Sequence, residues 1–261
     1  MLLCMKPNQI DIQNCMRNIF VVLFLSLSLY ANAGGEKFQL NLIVSPTAEW
    51  MWFNRSPFAK TYNNLWGTKL SYNFGIEYKR FFDPSLSFST GVLYMNKGFR
   101  NVDPTAGVDG KNGVTLMSAH VIGVPLTINA HHDLRRRVEM IYSIGIVGGY
   151  LFQERVRNKN YSEEEIPEQG ILDATNGVSN VNIFNDVYVG AHAGIGISAY
   201  LKSRVVLVVQ PMFQFQINNA RDYLGQFNSS DPFNARLNSF GVDLKIGYFF
   251  TKQVRNQSKD I

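Results

Sequence analysis

Between Lys69 and Lys79 the side chains alternate without interruption. Leu70, Tyr72, Phe74, Ile76 and Tyr78 fall on one parity, and Lys69, Ser71, Asn73, Gly75, Glu77 and Lys79 on the other. A period of two puts successive side chains on opposite faces of a β-strand. Phe240, Val242, Leu244, Ile246, Tyr248 and Phe250 repeat the pattern against Gly241, Asp243, Lys245 and Gly247. It recurs eight times, predicting strands near 36–53, 68–82, 85–99, 115–130, 137–155, 183–201, 203–219 and 235–251. Many are two to three times the usual strand length of about 5–6 residues.

The connections alternate too. After the second, fourth and sixth strands they are short: Asp83-Pro84, the stretch His131 to Arg136, and Lys202-Ser203. After the first, third, fifth and seventh they are long, near 54–67, 100–114, 156–182 and 220–234. The long ones hold clusters such as Asn101-Val102-Asp103-Pro104 and Ser229-Ser230-Asp231-Pro232, and the charge run Glu163-Glu164-Glu165. Short turns at one end and long loops at the other are the plan of an outer-membrane barrel. Lipid supplies no hydrogen bonds, so every strand must be paired and the sheet must close. The expected fold is all-β: one closed antiparallel transmembrane barrel of about eight strands, with periplasmic turns and extracellular loops. Apolar side chains would face lipid and polar ones the lumen. The competing architecture is a soluble sandwich or a periplasmic ligand-binding barrel, which would bury the apolar face instead. Alternation alone does not separate the two.

The N-terminus favours export. Arg17, the apolar core Ile19–Tyr30 and Ala31-Asn32-Ala33 form a basic residue, an h-region and an A-x-A site. That core is shorter than the ~20 residues of a transmembrane helix. Residues 1–33 are therefore expected to be a signal peptide, with Met16 as an alternative start that makes 1–15 a mis-assigned beginning. The barrel is expected over 34–251 and a polar tail over 252–261. Both cysteines, Cys4 and Cys15, precede the mature chain, which excludes a disulfide, a thiol nucleophile or a thiolate metal site there.

The formal charge is +5, and the leader takes Lys6, Arg17 and Asp11 with it. The remaining cations are dispersed. The densest run, Arg135-Arg136-Arg137, sits beside a turn, where it reads as solvated charge able to touch anionic lipid or lipopolysaccharide rather than nucleic acid. Aromatics, 13 % of residues, gather at strand ends, where a membrane-interface belt lies. Toward the loops these are Trp50, Trp52, Phe53, Trp66, Tyr94, Phe99, Tyr150, Phe152, Phe213 and Phe215. Toward the turns they are Phe38, Tyr78, Phe81, Phe82, Tyr200, Tyr248 and Phe250.

Parity places Glu77, Lys79, Glu139, Asp243 and Lys245 in the lumen near the turn end, with Lys69, Lys97 and His192 elsewhere in it. An ion-pair network would plug a narrow barrel at tolerable cost, because paired and hydrogen-bonded charges survive burial. Catalysis has less support. His192 and Asp186 share a face but stand about 20 Å apart along a strand. Ser118 and His120 share a face with no acid nearby in sequence. His131 and His132 fall in a predicted turn and make a poor metal site without further ligands. No phosphate loop, zinc-protease motif or serine elbow occurs. No catalytic residue, cofactor or metal is assigned. Proline lacks the N–H a ladder needs, so Pro125, Pro46 and Pro211 mark bulges or local breaks. Gly-rich strands five and six make room for curvature or for large lumen side chains.

Two segments carry a family resemblance. Gly91-Val92-Leu93-Tyr94-Met95-Asn96-Lys97-Gly98 resembles the leucine-tyrosine, then lysine-glycine signature of the PorT-like outer-membrane β-barrel family of Bacteroidetes. Val121-Ile122-Gly123-Val124-Pro125-Leu126-Thr127-Ile128 resembles that family's strand with a central proline-leucine pair. Gly145, Gly148, Gly149, the stretch Gly190 to Gly196 and Gly247-Tyr248-Phe249-Phe250 are similar as well. The motif residues are thus Tyr94, Lys97, Gly98, Pro125 and Leu126. The polar residues after Phe250 depart from the terminal aromatic with which many such barrels end. The resemblance implies an outer-membrane location, and some members are linked to secretion of other proteins; it implies no reaction. Expected partners are outer-membrane lipid and lipopolysaccharide, and a secreted or surface protein at the loops. The function expected is structural or secretion-accessory, with a small pore or transporter as the alternative.

Overall fold

The computed structural model describes residues 38–54, 66–103, 113–135, 137–159, 184–201, 204–218 and 234–250. The leader, the C-terminal tail, the Glu163–Glu165 run and most of the four long loops lie outside the described residues.

The described residues form strands β1 (Phe38–Asn54), β2 (Trp66–Gly67), β3 (Lys69–Asp83), β4 (Leu86–Asp103), β5 (Gly113–Arg135), β6 (Val138–Lys159), β7 (Val187–Tyr200), β8 (Val205–Gln216) and β9 (Asn234–Phe249). The two-residue β2 continues the line of β3 against β4. All pairings are antiparallel. They run β4-β3-β1-β9-β8-β7-β6-β5, and a β4–β5 ladder closes the ring. The barrel therefore has eight full strands and no free edge, as lipid requires of a spanning sheet.

The apolar parity faces outward. Leu42, Leu70 and Ile144 are 59, 86 and 66 % exposed, whereas Lys79 and Lys97 are 2 and 1 % exposed. The outer band continues through Val44, Phe74, Ile76, Val92, Ile122, Leu126, Ile195, Val209, Leu244 and Ile246. So much contiguous exposed hydrocarbon is foreign to a soluble monomer. This polarity overturns the soluble ligand-binding alternative, because the polar face is the one inside.

The three strand prolines act alike. The β1–β9 ladder lapses between Val44↔Leu244 and Thr47↔Gly241, beside Pro46. The β4–β5 ladder lapses between Thr90↔Leu126 and Leu93↔Gly123, beside Pro125, and the β7–β8 ladder between Gly194↔Met212 and Ile197↔Val209, beside Pro211. Register is unchanged across each lapse. Each proline is thus a local break rather than a bulge, and its other flank stays paired. A real bulge lies opposite His120/Val121. His120 pairs Gln153 and Val121 pairs Leu151, which leaves Phe152 as the extra residue of β6. A bulge re-aims the side chains beyond it. Glu154 and Val156 turn inward, and Arg155 and Arg157 turn outward.

Several expectations need correction. β5 runs to Arg135, so His131 and His132 are strand residues, and the turn includes Arg137. β4, β5 and β6 extend into the expected loops, reaching Asp103, Gly113 and Lys159, whereas β7 and β8 are shorter than expected. Antiparallel partners reward each other's length, and these three neighbours lengthen together. Asp186 precedes β7 and is exposed, so it shares no face with His192. Among the expected belt aromatics, Phe81 and Phe99 are buried inside, and Tyr200 packs inside against Phe249. The side chains of Phe53 and Trp66 lie outside the described residues.

Candidate functional site

The barrel interior divides into a turn half and a loop half. In the turn half, Glu77 is the hub. Lys245 Nζ donates to its Oε2 at 3.1 Å, Asn41 Nδ2 to its Oε1 at 2.7 Å and Ser89 Oγ to its Oε2 at 3.3 Å. Lys245 also lies 3.6 Å from Asp243 Oδ2. The chain of bonds continues around the wall. Asn129 Nδ2 donates to Ser89 Oγ (3.2 Å), Ser143 Oγ to Asn129 Oδ1 (2.6 Å), and Gln210 Nε2 to Ser143 Oγ (2.7 Å). Gln39 donates to Asn41 at the other end. One hydrogen-bonded girdle thus draws a side chain from each of β1, β3, β4, β5, β6, β8 and β9. The strand missing from it, β7, sends His192 to Thr127 of β5, with Nε2 and Oγ1 2.9 Å apart. A Cβ at Gly145 would stand 2.7 Å from that Nε2, so the glycine makes room for the ring.

Of the five charged residues expected together, Glu77, Asp243 and Lys245 form one cluster. Lys79 is fully buried within the fields of Glu77 and Glu139. Glu139 belongs to a neighbouring group nearer the turns: it accepts from Tyr200 Oη at 2.8 Å and lies 3.4 Å from His131 Nδ1. His131 Nε2 is 2.8 Å from Ser87 Oγ. The order Ser87–His131–Glu139 is that of a nucleophile, a base and an acid. Yet Ser87 is wholly buried, beside an apolar plug of Phe81, Ile141, Val206, Val208 and Phe249. A nucleophile must meet its substrate, and this one faces packed side chains. The group binds three strands and Tyr200 to each other. The group is not legible in the sequence, where His131 falls in the expected connection 131–136.

In the loop half the interior is an apolar core. Met51, Met95, Phe99, Met117, Val121, Val147, Leu151, Val156, Phe184, Tyr188 and Leu237 pack together. One ion pair is sunk in it. Lys97 Nζ donates to Glu49 Oε1 at 3.1 Å, Gln214 Oε1 at 2.7 Å and Ser239 Oγ at 2.8 Å, and lies 5.9 Å from the Tyr188 ring centre. Glu49 was not singled out from the sequence. Its inward parity on β1 was the available signal.

Between the halves lies a cavity of about 60 Å³. Glu77, His192 and Lys245 line it on one side, and Met95, Gln214 and Ser239 on the other. Such a space holds a few waters. Among the described residues no group of three or more His, Cys, Asp or Glu could hold a metal.

The motif residues divide between the faces. Lys97 and Pro125 point inward, and Leu126 is exposed outside. Tyr94 faces outward, its Oη 2.6 Å from His120 Nδ1, amid Tyr72, Phe74 and Phe152. Gly98 has φ +145°. A Cβ there would stand 2.0 Å from the Met117 carbonyl oxygen and 3.1 Å from Lys69 Nζ. Lys69, expected wholly in the lumen, instead sends its ammonium through the wall at this point, to Asn96 Oδ1 (2.9 Å), Ser118 Oγ (2.8 Å) and the Lys97 carbonyl (3.2 Å).

No curated protein matches the chain in sequence. Among solved structures it is similar to Neisserial surface protein A, at 10 % identity over 80 % of this chain and 96 % of that one, TM-score 0.41. It is similar to Ail, the attachment invasion locus protein of Yersinia pestis, at 10 % identity over 81 and 98 %, TM-score 0.36. It is also similar to the outer membrane protease OmpT of Escherichia coli, at 9 % identity over 84 and 99 %, TM-score 0.39. The family model described as outer membrane protein beta-barrel domain matches residues 51–219, well over half of the chain. With the closed ring and its apolar exterior, that match makes this chain a member of the outer membrane protein β-barrel domain family, resident in the bacterial outer membrane.

Proposed function

We propose that this is a non-enzymatic barrel closed to diffusion, which acts through its loop end on a secreted or surface partner, with its turns in the periplasm. The observation that carries the reading is the filled interior. Among the described residues, a girdle drawn from seven strands and an apolar core with a buried ion pair flank a cavity of about 60 Å³. A conduit would need a continuous wet path, and side chains that pair with each other are not available to a passing solute. The long connections, by contrast, are where variable binding surface is added to a rigid scaffold. The resemblance of Gly91–Gly98 and Val121–Ile128 to the PorT-like barrels of Bacteroidetes fits a secretion-accessory role. The signal peptide over 1–33 and the tail over 252–261 belong to the same proposal.

The alternative is a small pore or transporter. Planar-bilayer recording on the refolded protein tests it. Absence of discrete conductance steps in molar salt is expected. Stable steps that respond to Glu77→Gln or Lys245→Met would replace this reading with a gated pore.

A further inference from the structure

The outer wall carries a feature that a closed scaffold does not need. At the loop end of β3–β6 an open concavity of about 780 Å³ lies on the lipid side of the barrel. Lys69, Arg100, Arg155 and Arg157 line it with His120 and Ser118, and among the described residues its lining holds no acid. The register places these groups in rows. Gly98, Ser118 and Arg155 are cross-strand neighbours, as are Arg100, Leu116 and Arg157 one step further out.

Two local devices assemble the site. The Phe152 bulge turns Arg155 and Arg157 outward, where unbroken parity would have aimed them into the lumen. Gly98, lacking a side chain, lets the Lys69 ammonium cross the wall to Ser118. A further observation points to a ligand. His120 is 9 % exposed, and among the described residues its Nε2 is buried without a hydrogen-bond partner while its Nδ1 is held by Tyr94.

The level on the barrel suggests the ligand. Tyr94, His120 and Phe152 form an outward aromatic cluster of the kind that sits at a membrane interface, with His120 nearest the loops. The Arg155 and Arg157 rows lie two and four residues beyond His120 on β5, about 7 and 14 Å further along the strands. That is headgroup height, not hydrocarbon. Arg forks match phosphate oxygens bidentately. We infer that this concavity is a binding site for a phosphate group carried on a lipid of the leaflet that faces the loops, such as the phosphorylated glucosamine of lipopolysaccharide. The inference rests on the membrane orientation proposed above.

The test uses the full mature barrel in nanodiscs of phosphatidylcholine, with lipid A added at graded mole fraction and retained lipid read by native mass spectrometry. Arg100→Gln/Arg155→Gln/Arg157→Gln is the variant, since exposed arginines leave the ladder intact. Heat-modifiable migration of both proteins certifies the barrel separately, so a failure of the membrane reading would show there. The wild type is expected to retain lipid A at least tenfold better than the variant, with enzymatically dephosphorylated lipid A no better retained than phosphatidylcholine. Equal retention by wild type and variant, both heat-modifiable, would overturn the site. Equal retention of dephosphorylated lipid would overturn the phosphate. Displacement by millimolar inorganic phosphate would overturn the lipid as its carrier.

Discussion

The two halves of the barrel interior solve one problem by different means. Both must fill a narrow tube whose wall is lined by every second residue. The turn half uses a closed hydrogen-bonded circuit, in which Glu77 has Lys245, Asn41 and Ser89 as donors. The loop half uses hydrocarbon and sinks one pair, Lys97–Glu49, into it. In a circuit, losing one partner leaves the others in place. In an apolar core, losing one member strands a charge with little to replace it. The difference teaches where this barrel is brittle.

The largest expected effect is therefore at Lys97. Lys97→Met leaves the buried Glu49 carboxyl without its cation among apolar side chains, which should cost about 3–5 kcal/mol of unfolding free energy. Urea unfolding in lipid vesicles measures it. Pairing it with Glu49→Leu should recover most of the loss. A single variant no worse than the double would break the comparison.

Next comes the outer wall, on which the meaning of both halves depends. Leu244→Arg or Phe74→Arg puts a cation on the hydrocarbon face. At the bilayer midplane that should cost about 2–4 kcal/mol in the same assay. Unchanged stability of both would mean that these faces do not meet lipid. The smaller effect is at Lys245. Lys245→Met leaves Glu77 its donors Asn41 and Ser89 and the field of Lys79. The expected loss is about 1–3 kcal/mol, below that of Lys97→Met. The reverse ranking would show that the girdle, not the apolar core, is the brittle half.

Much of this fold can be read along the chain, because alternation, turn residues and strand length all obey the same lipid constraint. The Leu70–Tyr78 and Phe240–Phe250 faces come straight from parity. What parity cannot carry is anything past a bulge. Arg155 and Arg157 change sides at Phe152, and the stretch Tyr150 to Arg157 holds no Gly, Pro or Asn to announce it. Neutral girdle members such as Asn41, Ser89, Asn129, Ser143 and Gln210 carried no charge to draw notice, although each sits on an inward position. His131 falls at the start of the expected connection 131–136, whereas the strand simply continues through His132 and Asp133 to Arg135. Phe81 and Phe99 suit a belt by residue type, but their odd positions put them inside.

The measurement that bears most directly on a closed, membrane-inserted barrel is migration of the mature protein on SDS gels, from separated outer membranes of an expressing cell, with and without boiling. A compact band in the unheated outer-membrane fraction that slows after boiling is the expected result. A soluble periplasmic protein whose mobility ignores heating would contradict the account at its root.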